Sequence, residues 1–179
     1  MLKTLLGLIF MLGTAILIGC ELFDSGSGQS QPAALILNGS FELWDSTGPT
    51  HWSIENPDST IYSQSDDTPP NGGNHSLLIL QHQYNPLSKL VQGVRVPSAA
   101  RKVKLNLWSI FISGGSAVLV VKVNNSSVVS DTIINFFLPT EWEEYSTVLS
   151  RSVRAGDSIF VELRGNVTLF DNVEVSLLN

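Results

Sequence analysis

The sequence predicts an all-β domain, an antiparallel β-sandwich that follows an amino-terminal export segment and a polar linker. Three observations predict it. From about residue 75 onward, short runs rich in Val, Ile, Leu and Thr alternate apolar and polar side chains, the period of a strand with one face in a core. Turn-forming clusters (PPNGGN, PSAA, SGGS, NN, LPTEW, RAGD, RGN) separate the runs. Outside the export segment no window carries an apolar stripe at helical spacing over ten or more residues. Many short strands at such spacings close as a sandwich.

The elements follow in chain order. Residues 1–19 read as an export signal: Lys3 supplies the positive start, and the apolar run from Leu5 to Ile18 is too short for the roughly 18 residues of a membrane-spanning helix. The run ends in Leu17-Ile18-Gly19-Cys20, which resembles the lipobox of bacterial lipoproteins. That resemblance implies cleavage before Cys20 and lipidation of its sulfur and new amino terminus, so that Cys20 anchors the chain to a membrane in the bacterial cell envelope. Glu21, standing where enteric lipoproteins carry aspartate for inner-membrane retention, implies the outer membrane. Cys20 is the only cysteine, so no disulfide framework competes for it; the bland alternative is a spare thiol in a misread anchor. Residues 20–32 hold the lipidated cysteine and a Ser/Gly/Gln-rich linker that buries too little apolar area to order itself. Residues 33–179 are the size of one domain.

The domain opens on ILNGSFELWDSTGPTHWSI, Ile36 to Ile54, where Glu42 stands between Phe41 and Leu43, beside Trp44. An opening strand ordinarily takes plain hydrophobics there. Strands are then expected at 75–81, 90–96, 103–112, 117–123, 127–134, 143–150, 157–164 and 168–178. The basic run Arg101 to Lys104 starts one of them and reads as a solvated strand end or, less simply, as a binding patch.

Taken together, NGSFE (38–42), Trp52, GGNHSLLI, VQGVRV, KLNLWSIF, TEWEEY and the terminal LFDNVEV are similar, in order and spacing, to the jelly-roll modules of the galactose-binding-like superfamily, above all carbohydrate-binding module families four, nine and twenty-two. The likeness spans residues 35 to 178. It implies a jelly roll and a glycan partner. It also implies a structural Ca2+ held on the convex side by the acids of the opening and closing motifs, here Glu42 and Asp171, with backbone carbonyls of Asn71 to His75 as further ligands. Two carboxylates brought together by the chain ends repel, and a hard cation with oxygen ligands relieves that. Solvated acids with no ion are the alternative.

Sugar binding needs aromatic side chains on an exposed face, because sugar rings present apolar C–H faces while polar groups take the hydroxyls. Alternation gives Val103, Leu105 and Leu107 to the core, and Asn106 and Trp108 to the opposite face; it likewise gives Ile159, Val161 and Leu163 to the core, and Phe160, Glu162 and Arg164 outward. If those two strands share the concave sheet, Trp108 and Phe160 form a platform flanked by Asn106, Glu162 and Arg164; a covering loop or a bulge removes it. Trp52, Trp142, Phe41, Phe170 and Tyr145 read as core. Trp44, Tyr62 and Tyr84 fall in loops, as cleft rim or as sandwich caps.

The balance of charge excludes a nucleic-acid footprint: 16 acids against 10 bases give −6, and losing Lys3 with the signal makes the chain more acidic still. No nucleophile elbow, zinc motif or phosphate loop is present, and His51, His75 and His82 lack metal-ligand spacing. The acids at 66–67 and 141–144 read as solvated turn residues. The expectation is a non-catalytic lipoprotein that binds polysaccharide, with a structural or adhesive jelly roll for a protein or envelope partner as the alternative.

Overall fold

The computed structural model describes residues 35–57, 60–81, 87–123, 126–134 and 140–179. The export signal, Cys20, the linker, His82 and Tyr84 lie outside the described residues. One compact unit covers Pro32–Asn179.

Among the described residues twelve strands run in chain order: β1 (Trp44–Asp45), β2 (Gly48–Pro49), β3 (Ser53–Glu55), β4 (Thr60–Ser65), β5 (Ser76–Gln81), β6 (Lys89–Arg95), β7 (Lys102–Phe111), β8 (Gly115–Val123), β9 (Ser126–Ile134), β10 (Glu143–Leu149), β11 (Ser158–Gly165) and β12 (Val167–Leu178). One five-stranded sheet has the order β10-β7-β12-β5-β4 and the other β3-β6-β11-β8-β9; β1 and β2 form a small separate ribbon. Neighbouring strands pair antiparallel throughout, as in β7 with β12 and β11 with β6.

The two sheets meet through the alternation read from sequence. Leu77 and Ile79 of β5, Val103, Leu105 and Leu107 of β7, and Phe170 of β12 are fully buried, as are Leu90 of β6, Leu119 and Val121 of β8, and Ile159, Val161 and Leu163 of β11; all join one core. Each such side chain contributes about 1.5–3 kcal/mol of transfer free energy, which makes this layer the main stabilising element.

The opening and closing segments of the domain are both tied to that core. Asn38 organises the opening turn: its Oδ1 accepts the Leu43 N–H at 3.0 Å and its Nδ2 donates to the carbonyls of Leu43 (2.7 Å) and Thr50 (3.1 Å). Gly39 accepts at its carbonyl from the Val173 N–H (2.9 Å), and a Cβ at Gly39 would run into the Val173 backbone, so the opening motif lies directly against the closing strand. Phe41 has φ 52, a left-handed conformation that is costly for a bulky residue, roughly 1–3 kcal/mol. It is held there by full burial and by the Trp52 ring 5.4 Å away, while Trp52 Nε1 donates to the Asn38 carbonyl at 3.1 Å.

Three expectations change. Tyr62 belongs to β4 and faces the core, with its hydroxyl 2.9 Å from Ser88 Oγ, so it rims no cleft. The run TIYSQS carries little strand signal because its strand is an edge with few large apolar side chains. Trp142 is half-buried and lies outside the core: it precedes β10, whose Tyr145 and Leu149 pack on the core, and its Nε1 donates to Asp67 Oδ1 at 2.9 Å. Trp44 stands in β1, packed on the core with Nε1 donating to the Phe41 carbonyl.

Candidate functional site

Two places gather functional side chains. The first joins the opening motif and the closing strand of the domain. Left-handed Phe41 sends Glu42 toward the turn Asn71 to His75, where its Oε1 accepts the N–H groups of Asn74 (2.8 Å) and His75 (2.9 Å). Partial desolvation raises the Glu42 carboxyl, but these two hydrogen bonds and the nearby imidazole outweigh it and hold the group below its ordinary value. On the closing strand, β12 shifts register against β7 between Asp171 and Glu174, and Asn172 is left-handed at φ 46. Such bulges re-aim side chains. Asp171 is fully buried; its Oδ1 accepts the Asn172 N–H at 2.6 Å, and Oδ2 has no hydrogen-bond partner. Desolvation pushes its pKa up to about 7, against the Asn172 hydrogen bond and with the Glu42 charge adding to the rise.

Glycines let the turn reach both acids. A Cβ on Gly72 would strike Asp171 Oδ2, and one on Gly73, whose φ is 83, would strike Glu42 Oε1. An orphaned buried carboxylate oxygen beside a second acid and a close backbone turn fits a hard cation with oxygen ligands. No group of three metal-ligating side chains occurs among the described residues, so the remaining ligands would be backbone carbonyls or water.

The second place concerns the ligand platform. Trp108 of β7 lies opposite Glu144 and Asp171, and Asn106 opposite Ser146 and Glu174, so both project from the outer face of the β7 sheet, beside the carboxylate pair. Phe160, Glu162 and Arg164 belong to β11 in the other sheet. The two groups therefore point away from each other on opposite outer faces, and no common platform forms. Parity along a strand separates inward from outward but does not say which sheet the strand joins.

What the β11 face does bring together is compact. Phe160 lies opposite Gly93 of β6 and Val120 of β8. Its ring covers Gly93, where a Cβ would come within 2.6 Å of it, and Lys122 Nζ sits 4.2 Å from the ring centroid. Two residues along, Glu162 Oε1 accepts from Lys89 Nζ at 2.7 Å and Oε2 from Arg164 Nη2 at 2.6 Å, while Lys89 Nζ lies 3.3 Å from Glu55 Oε2. Desolvation raises Glu162, but the two cations bonded to it hold it below the ordinary carboxylate value. Sequence reading missed Lys89, Gly93 and Lys122. A glycine inside VQGVRV was the available signal, since glycine within a strand marks the close approach of another group.

No protein-family model matches the chain, and no curated protein matches it. Solved structures do. The fold is a jelly roll. It is shared with TmCBM61, solved in complex with β-1,4-galactotriose (TM-score 0.54, 13% identity, 80% of this chain and 98% of that one), and with the CBM22-1 xylan-binding domain of Paenibacillus barcinonensis Xyn10C (TM-score 0.52, 13% identity, 82% and 95%). It also occurs in the enzymatically active domain of tailspike protein 4 of bacteriophage CBA120 (TM-score 0.60, 14% identity, 81% of this chain), of which this chain spans only 21%.

Proposed function

We propose that this chain is a non-catalytic, membrane-anchored lipoprotein whose jelly-roll domain binds carbohydrate on the outer face of the β11 sheet. The observation that carries the reading is the Phe160 ring laid over Gly93, with the Lys89–Glu162–Arg164 group two residues along the same face. A flat ring takes the C–H face of a sugar, and a carboxylate and cations fixed in place take its hydroxyls without further ordering. Lys122 covers the ring through a cation–π contact between two partly buried side chains, on the order of 1 kcal/mol, weak enough for the flexible lysine to swing aside. Glu162 has both oxygens bonded to cations and is ionised, which suits a hydroxyl acceptor and not the general acid that glycoside hydrolysis requires.

Glu42 and Asp171 hold a structural Ca2+ in this reading, which staples the first and last segments. Cys20 carries the lipid that places the domain at the cell envelope, at the outer membrane if Glu21 acts as in enteric lipoproteins. A second reading, docking of a protein partner, is favoured by Ile61 (47% exposed) and Val148 (41% exposed), apolar side chains on the outer face of the β7 sheet.

Affinity gels cast with β-glucan, xylan, mannan, galactan or peptidoglycan test the binding reading: at least one should retard the wild-type chain, and migration unchanged in all of them favours the protein-partner reading. For the anchor, Cys20→Ser should abolish labelling by palmitate and release the protein from the membrane fraction. Unchanged labelling would refute lipidation at that residue.

A further inference from the structure

The end of the β11 face beyond Phe160 concentrates positive charge in a chain whose net charge is −6. Ser158 of β11 lies opposite Arg95 of β6 on one side and Lys122 of β8 on the other, all on the outer face. The turn before β11 brings a third cation, Arg154, to the same place, and together these residues line an open cleft of about 370 Å³ that Asp157 also lines.

The turn is fixed. Asp157 Oδ2 accepts the Arg154 N–H at 2.8 Å, Val96 donates to the Asp157 carbonyl (2.8 Å), and Gly156, at φ 92, donates to the Val96 carbonyl (2.9 Å). One oxygen of the Asp157 carboxylate is thus engaged by the backbone of its own turn, and three cations share the cleft with this one acid. None of Arg95, Lys122 and Arg154 forms an ion pair among the described residues, whereas Lys89 and Arg164, on the same sheet face, are both paired with Glu162. Three cations without an ion-pair partner among the described residues outnumber the single acid of the cleft, and an anionic ligand group balances the excess while accepting charge-assisted hydrogen bonds.

The distance to the aromatic ring sets the class of ligand. Phe160 and Ser158 are two residues apart on one strand, about 7 Å, so an anion in the cleft and a ring on Phe160 belong to the same or adjacent units of one polymer. We propose that the cleft of Arg95, Lys122 and Arg154 is a subsite for the carboxylate or sulfate of an acidic polysaccharide whose sugar ring rests on Phe160. Lys122 links the two parts: the ammonium that now covers the ring moves toward the anion, uncovering the aromatic face as the charge arrives. An anionic bilayer fits less well, since an extended negative surface meets the acidity of the whole chain, while a single group in the cleft meets three cations.

The proposal rests on the glycan reading of the same face, and its test separates the two. The full chain is run through gels containing polygalacturonate, the same polymer highly methyl-esterified, a sulfated carrageenan or a neutral galactan, and is mixed with phosphatidylglycerol vesicles. Retention by polygalacturonate or carrageenan should exceed that by the esterified polymer and should weaken with added salt. Arg95→Gln with Arg154→Gln should weaken it about tenfold, the scale of one charged hydrogen bond. Phe160→Ala should weaken it as well, which a purely ionic attraction would not show; thermal unfolding should be unchanged in the two exposed arginine substitutions and should show a folded domain for the partly buried Phe160. Retention by neutral polymers equal to or above that by charged ones overturns the anion subsite and leaves the glycan reading standing. Retention by no polysaccharide overturns both, and capture by vesicles alone assigns the cleft to lipid headgroups and overturns the proposal.

Discussion

Chelation of calcium should lower the unfolding temperature of the domain by about 5–10 °C. An ion that binds only the folded state stabilises it by about 2.7 kcal/mol when present at a hundred times its dissociation constant, and for a domain of this size each kcal/mol moves the midpoint by about 2–4 °C. The effect is large because without a cation Asp171 is buried with one carboxylate oxygen unpartnered and Glu42 nearby. Its pKa is raised from 3.8 to about 7 in the metal-free fold, so between those values the folded protein holds a proton that the unfolded chain has released. The metal-free domain therefore loses stability as pH rises through that window, on the order of 4 kcal/mol in all, and calcium restores it most at neutral pH. Asp171→Asn removes the buried charge while keeping the shape, so it should raise the metal-free melting temperature at neutral pH and abolish the response to calcium. Identical melts of the wild type in chelator and in about 1 mM calcium, a saturating level for weak extracellular sites, would remove the site.

Trp52→Ala should cost about 3–5 kcal/mol, a large share of the 5–15 kcal/mol that stabilises an ordinary domain. Trp52 is 8% exposed, stacks against Phe41 and closes the opening turn through Asn38. Because Phe41 is left-handed and directs Glu42, the same substitution should also blunt the calcium response. Trp108→Ala, on the outer face and only partly buried, should cost about 1 kcal/mol. Chemical denaturation of the two variants checks the difference; equal losses would mean that Trp108 is a core residue.

Much of this architecture was legible in the sequence because parity in a strand is a local signal. Val103, Leu105 and Leu107, and Ile159, Val161 and Leu163, fall on the core face as alternation requires, and the strand bounds agree to within two residues. Strand β4 was not legible, since TIYSQS shows neither strong alternation nor a long apolar run. The juxtaposition of Glu42 with Asp171 came from resemblance and from no local pattern; the Gly39–Val173 contact and the bulge after Asp171 are what bring their segments together. Whether Trp108 and Phe160 share a platform is not legible in the sequence for the corresponding reason, and the two strands prove to lie in different sheets. Whether β7 and β11 share a sheet depends on connectivity, and the strand pairing that answers it involves Gly93, Val120 and Glu144, residues far apart in the chain.

The most direct test of the proposed ligand face compares Phe160→Ala and Trp108→Ala in affinity gels containing a polysaccharide that retards the wild type, with thermal unfolding measured on both variants. Both should stay folded; Phe160→Ala should migrate as if no polysaccharide were present, and Trp108→Ala should be retarded as the wild type is. Loss of retardation in Trp108→Ala with its retention in Phe160→Ala would contradict this, and would move the binding surface to the opposite sheet, beside Glu42 and Asp171.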